Sequence, residues 1–200
     1  MFDADVQLAH KFVEAHLPGV ELVLVTGSRV FGITETDFDL CVVGDFPESQ
    51  LRHYAKFVSL PKQVYSGVEF EVEVVTWDTI EKGLADYLSF TAWHYQHAYV
   101  LHDPTGRFTR LKEHYSFPQN CEGELVRFYE WAYDHLNNAR KAHMRGMYAT
   151  QISHLSESFQ AGLCILFLLN RSFIPPIKWR LYLSDSLPRK VDYEEAYKLT

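Results

Sequence analysis

Residues 25–43 read VTGSRVFGITETDFDLCVV. Two short apolar runs, Glu21 to Thr26 and Leu40 to Val43, flank a glycine-containing turn and two acids. The runs predict adjacent strands. Gly27 permits a tight turn after the first strand, and Gly32 permits close backbone approach a few residues later. A strand turns successive side chains to opposite sides, so Asp37 and Asp39 point the same way. Two carboxylates side by side repel each other. A divalent cation removes that repulsion.

Mg²⁺ is a hard ion that favours carboxylates, water and phosphate oxygens. Backbone N–H groups at Gly27 and Ser28 suit phosphate oxygens, Ser28 adds a hydroxyl, and Arg29 offers a fork of donors. The combination predicts metal-dependent phosphoryl or nucleotidyl transfer. It is not a Walker A loop, which would end in lysine and serine or threonine. The spacing of Gly27 and Gly32 does not match a dinucleotide fingerprint either.

Working outward, residues 3–16 predict a helix, with Val6, Ala9, Phe12 and Val13 on one face. A helix is expected from about Glu48 to Ser59. Val68 to Val75 reads as a third strand, with Glu69, Glu71 and Glu73 on one face and Phe70, Val72 and Val74 on the other. Asp78 is placed to cap the next helix, with Glu81 completing a capping box. Tyr99 to Arg107 reads as a short strand and turn. Beyond residues 116–123 the pattern is helical. One stripe runs through Leu125, Phe128, Ala132, Leu136 and Ala139, and another through Ile152, Leu155, Phe159, Leu163 and Leu166. Pro175 and Pro176 precede a last helix around Lys178 to Ser184. The expected fold is α+β: a small mixed-sheet domain over residues 1–118, then an α-helical bundle domain over 119–200. The two parts are expected to pack together around a ligand cleft.

The bulk composition fits that plan. The chain has 200 residues, 47% hydrophobic and 15% aromatic, enough for one sizeable core or two small ones. A formal charge of −7 argues against broad binding to nucleic acid or anionic membranes. Cys41, Cys121 and Cys164 are odd in number and widely spaced, so no disulfide framework is expected. A reducing, cytoplasmic setting is the expectation. Ala161 to Leu169 is shorter than the roughly 20 apolar residues a membrane helix needs. The N-terminus, with Asp3 and Asp5, lacks the features of a secretory signal. The 10 histidines form no zinc pattern: His94 and His97 share a helical face but have no third ligand. Trp77, Trp93, Trp131 and Trp179 are expected in packing between elements.

The opening stretch resembles the nucleotidyltransferase superfamily typified by DNA polymerase beta. The resemblance rests on Gly27, Ser28, Gly32 and the pair Asp37 and Asp39, with Thr36 where the family commonly has serine. It implies that Ser28 holds the distal phosphates and that Asp37 and Asp39 are metal ligands. It also implies a third acid on a neighbouring strand, for which Glu71 and Glu73 are the candidates. More of the chain resembles the aminoglycoside nucleotidyltransferases of the kanamycin type. V72-E73-V74 is similar to their third-acid strand, which favours Glu73. Y99-V-L-H-D-P-T-G106 is similar to the strand and turn before their helical domain. The segments L168-L-N-R171 and S184-D-S-L-P188 add to the likeness.

That resemblance implies a catalytic base on the first helix of the second domain. Glu130 matches it, with Asp134 as the lesser candidate. The implied reaction transfers AMP from ATP to a hydroxyl of a small molecule and releases pyrophosphate. ATP is the donor, Mg²⁺ ions held by Asp37, Asp39 and Glu73 form a two-metal site, and Glu130 takes the acceptor's proton. Arg29 and Lys141 are the cations available to assist. A homodimer is a further expectation. Two rival readings share the motif. One is an antitoxin-like adenylyltransferase acting on a protein hydroxyl. The other is a noncatalytic nucleotide-binding or interaction module.

Overall fold

The computed structural model describes residues 3–31, 37–54 and 57–188. The chain divides into two compact units: Met1–Asp86 with Thr91–Ser116, and Tyr87–Phe90 with Phe117–Thr200. The fold is α+β, with a mixed-sheet N-terminal region followed by a helical C-terminal region.

Among the described residues, the first unit holds a seven-stranded sheet. Its strands are β1 (Leu22–Thr26), β2 (Asp37–Val43), β3 (Arg52–His53), β4 (Val58–Ser59), β5 (Gln63–Tyr65), β6 (Val68–Val74) and β7 (Tyr99–His102). The spatial order is β3-β4-β6-β2-β1-β7, with β5 also paired to β6. β1 is antiparallel to both β2 and β7, whereas β2 and β6 run parallel. The turn from β5 into β6 places Ser66 and Gly67 at φ 51° and 79°. Two consecutive positive φ values match the twist of a tight hairpin.

Alternation divides the strand side chains between two cores. Val23, Val25, Phe38, Leu40, Val42, Phe70 and Val72 pack with Ala9 and Phe12 of α1 (Asp3–His16). Phe70 lies between Phe12 and Phe38, with ring centroids 3.9 and 5.0 Å away. Each such ring, fully buried, contributes about 1.5–3 kcal/mol from apolar burial. On the opposite face, Leu22, Leu24, Cys41 and Val43 pack with side chains of three helices: α2 (Trp77–Ala85), α3 (Phe90–His97) and α4 (Arg107–His114). Ile80, Leu84, Tyr95 and Phe108 are their main contributions.

Two local expectations are corrected. The helix expected from Glu48 to Ser59 is replaced by a 3-10 turn at Glu48–Gln50, then β3 and β4. β4 pairs with β6, Val58 opposite Val74 and Ser59 opposite Glu73, and Leu60 N–H donates to Val72 O at 2.9 Å. The open edge of β6 supplies backbone partners that outweigh the marginal stability of a short helix. At α2 the cap is Thr76, whose side chain accepts from Thr79 N–H at 3.2 Å. Asp78 instead pairs with Lys82 one turn on, and Glu81 accepts from the Tyr115 hydroxyl at 3.1 Å.

The second unit is built on a helical hairpin. α5 (Glu122–Met144) and α6 (Tyr148–Leu169) run antiparallel through a turn containing Gly146 at φ 68°. Ser158 Oγ donates to Ala132 O at 2.9 Å across the hairpin. α7 (Ile177–Ser184) follows Pro176. Phe128, Ala161, Cys164, Leu166, Phe167, Leu168, Ile174 and Leu187 form the core. The α6 stripe is only half buried: Leu163 and Leu166 are inside, while Ile152, Leu155 and Phe159 are exposed. The helix as a whole is long and apolar enough to cross a membrane by length and composition, a property shared by core helices.

Candidate functional site

The turn after β1 and the start of β2 lie side by side. Thr26 is in register with Asp39. Gly27 follows at φ 73°, in the left-handed region that favours glycine. The chain then makes a 3-10 turn over Ser28–Phe31. Gly32 and Thr36 lie outside the described residues.

Phe31 anchors the far end of that turn. Its ring stacks on Trp93 of α3 at 5.1 Å and approaches His97 at 5.8 Å. Trp93 and His97 also stack, at 4.7 Å, and His97 Nδ1 donates to Trp93 O at 2.8 Å. Burial holds the His97 pKa below its ordinary value, and nearby Lys112 lowers it further, against the hydrogen bond to Trp93.

The parallel ladder decides which acids meet. Asp37 is in register with Glu69, Asp39 with Glu71, and Cys41 with Glu73. Directly paired residues on neighbouring strands share a face. That face is therefore apolar through Leu24 and Cys41, and carboxylate beyond them. Asp39 meets Glu71, and Glu73 lies one step further along, beside Cys41. Alternation puts both glutamates on one face; strand pairing gives them different neighbours.

The surroundings of the two glutamates also differ. Lys62 pairs with Glu69 at 2.8 Å and with Glu71, and these bonds raise its pKa. Lys62 was not among the residues singled out in the sequence. Its signal there was position alone: it stands shortly before the alternating glutamates. Glu73 keeps exposed surface, yet desolvation raises its carboxyl pKa. The buried Cys41 thiol is pushed up by burial first and by Glu73 second. Tyr95 is raised by burial, then by Cys41 and Glu73.

Ser28 is buried, with 4% of its surface exposed. Arg29 is buried too, and its side chain reaches the α1 side of the sheet. Nε donates to Asp37 O at 2.6 Å, Nη1 pairs with Asp5 of α1 at 2.9 Å, and the guanidinium lies 4.1 Å from the Phe38 ring centroid. Asp5 and Phe38 belong to the α1 side of the sheet. Arg29 thus fastens the turn and the start of β2 to α1.

Glu130 is exposed on α5 of the second unit, as are Asp134 and Lys141. Tyr129 and Tyr133 are exposed and stack at 6.4 Å. Trp131, expected in packing, is 42% exposed, although its ring stacks on Phe128 at 6.0 Å. Trp93 is buried, as expected.

The carboxylate face suits a hard divalent cation in its donor chemistry. Asp37, Asp39, Glu69 and Glu71 offer only oxygen donors from two paired strands. Gly27 leaves room for the Asp39 carboxylate where a β-carbon would stand. Among the described residues, no three His, Cys, Asp or Glu side chains already surround a common point. Binding an ion would require Glu71 to leave Lys62. Lys62 is well exposed, and an ion pair so open to water is weak.

No family model matches the chain, and no curated protein does. Among solved structures it is similar to a nucleotidyltransferase-like protein from Exiguobacterium sibiricum 255-15, at 13% identity and a TM-score of 0.53. The match covers 98% of this chain and 65% of that one, so the chain spans less than two thirds of that protein's length. The likeness shows a nucleotidyltransferase-like fold.

Proposed function

We propose that this chain is a metal-dependent nucleotidyltransferase that transfers AMP from ATP to the hydroxyl of a small molecule and releases pyrophosphate. One observation carries the reading. Asp37 and Asp39 share a face immediately beside the Gly27–Ser28 turn, and Asp39 is in register with Glu71.

In this reading the phosphates lie along the Gly27–Ser28 turn, where a side chain on residue 27 would collide with Asp39. Asp37 and Asp39 would hold Mg²⁺, with Glu71, which is in register with Asp39, as the third acid in place of Glu73. Cations held there would supply charge neutralisation at the attacking and leaving oxygens. Arg29 contributes by position: it fixes the Asp37 backbone and leaves the carboxylate turned to the opposite face. Glu130 remains the candidate, from the family resemblance alone, for the group that takes the acceptor's proton.

Calorimetric titration of ATP with Mg²⁺ tests the site. The wild type is expected to bind, and an Asp37→Asn/Asp39→Asn variant is expected to lose metal-dependent binding. Pyrophosphate release in the presence of hydroxyl acceptors then tests the transfer. A folded wild type that binds no nucleoside triphosphate with Mg²⁺ or Mn²⁺ would overturn the proposal in favour of a noncatalytic module.

A further inference from the structure

The helical unit contains a second group of metal-ligating side chains, unrelated to the carboxylate face. His135 on α5 and His154 on α6 bring their Nδ1 atoms to 3.1 Å. The rings are 5.1 Å apart between centroids and inclined at 61°. Both residues are half-buried. Trp131 presents its ring edge-on to His135 at 6.0 Å.

At this separation the two nitrogens share one hydrogen, with one Nδ1 donating and the other accepting. The same separation is a bite distance. Imidazole nitrogens sit about 2.0–2.1 Å from Zn²⁺, so two of them at angles from square to tetrahedral lie about 2.9–3.4 Å apart. The observed distance falls inside that interval. The two ligands also come from different helices, so an ion between them would join α5 to α6.

We propose that His135 and His154 form a binding site for a late first-row divalent cation such as Zn²⁺, Ni²⁺ or Cu²⁺, clipping the two helices of the hairpin. Imidazole selects these ions over Mg²⁺, which prefers oxygen donors. On binding, the hydrogen between the rings moves to Nε2 of its own imidazole. Both Nδ1 lone pairs then point to the ion, and both rings stay neutral. Water completes the coordination. The site stabilises the hairpin by mass action, because the unfolded chain does not hold the two rings together.

The test uses the full chain, stripped with a chelator and melted in a non-chelating buffer near pH 7.5. Millimolar ZnCl2 is expected to raise Tm by about 3 °C or more, whereas MgCl2 does not reproduce the rise. His135→Gln and His154→Gln are each expected to abolish it. His143→Gln, altered at a contact with Gln151 elsewhere on the hairpin, is expected to retain it. The Asp37→Asn/Asp39→Asn variant is also expected to retain it, which separates this site from the carboxylate face. If either glutamine variant fails to fold, ¹⁵N NMR of wild-type histidine rings gives the answer: Zn²⁺ must move the Nδ1 resonances of His135 and His154. No rise in wild-type Tm, a rise that survives in both folded glutamine variants, or Nδ1 resonances that stay fixed would overturn the proposal.

Discussion

Gly27 and Asp39 occupy complementary space: a β-carbon built on Gly27 would stand 1.9 Å from Asp39 Oδ2. Gly27 is also at φ 73°, so two independent reasons demand glycine there. Gly27→Ala is expected to destabilise the chain by about 2–3 kcal/mol, from backbone strain and the displaced carboxylate together. Urea denaturation measures this. A variant as stable as the wild type would show that the turn can move away from Asp39.

The register of β2 against β6 separates the glutamates. Glu71→Gln is expected to weaken Mn²⁺ or Mg²⁺ binding at least about tenfold, roughly 1.4 kcal/mol, and Glu73→Gln to leave it within about twofold. Isothermal titration of both variants decides between them. The reverse order would place the metal one step further along β6 than the pairing of Asp39 suggests.

Arg29 is buried against Asp5, the Asp37 carbonyl and Phe38. Arg29→Ala is expected to cost about 2–4 kcal/mol, because it leaves a partly buried carboxylate and a carbonyl without their donor. Asp5→Asn should produce a smaller loss in the same unfolding assay. If Arg29 instead contacts phosphate directly, Arg29→Ala would reduce ATP affinity while leaving stability unchanged.

His97 supplies a pH test of the aromatic support beneath the turn. Its folded pKa lies below the ordinary value of 6.5. The unfolded chain therefore takes up a proton first as pH falls, and stability declines from about pH 6.5 downward, through the folded pKa. Above that range the contribution is fully present. Stability measured from pH 8 to pH 5 is expected to fall less steeply in His97→Gln than in the wild type. Equal slopes would assign the acid sensitivity to other groups.

Much of the first unit was legible in residues 25–43, because a glycine turn and an alternating acid pair carry their geometry in their spacing. The choice between Glu71 and Glu73 was not legible. Glu71 and Glu73 share a face, and only pairing with β2 distinguishes their neighbours. Arg29 showed its charge but not its direction, since Asp5 is remote in sequence and meets it only through α1 packing. The segment from Glu48 to Ser59 was misread because β3 pairs with β4 and β4 in turn finds its partner on the distant β6. Ser66 and Gly67, beyond that segment, carried a local hairpin signal for β5 and β6 that went unread. In the second unit, helical periodicity found α5 and α6, but it did not show that Ile152, Leu155 and Phe159 remain exposed.

The parallel pairing of β2 with β6 has a kinetic consequence. Parallel neighbours cannot be joined by a tight turn. The chain must leave β2 and return through residues 44–67 before Asp39 can face Glu71. Such a nonlocal closure is slow relative to hairpins and helices. A chain still emerging during synthesis, or arrested with only β1 and β2 joined, holds Asp37 and Asp39 without Glu71. The meeting of Asp39 with Glu71 thus marks closure of the β2–β6 pairing, a step that the proposed Mn²⁺ binding would report during refolding.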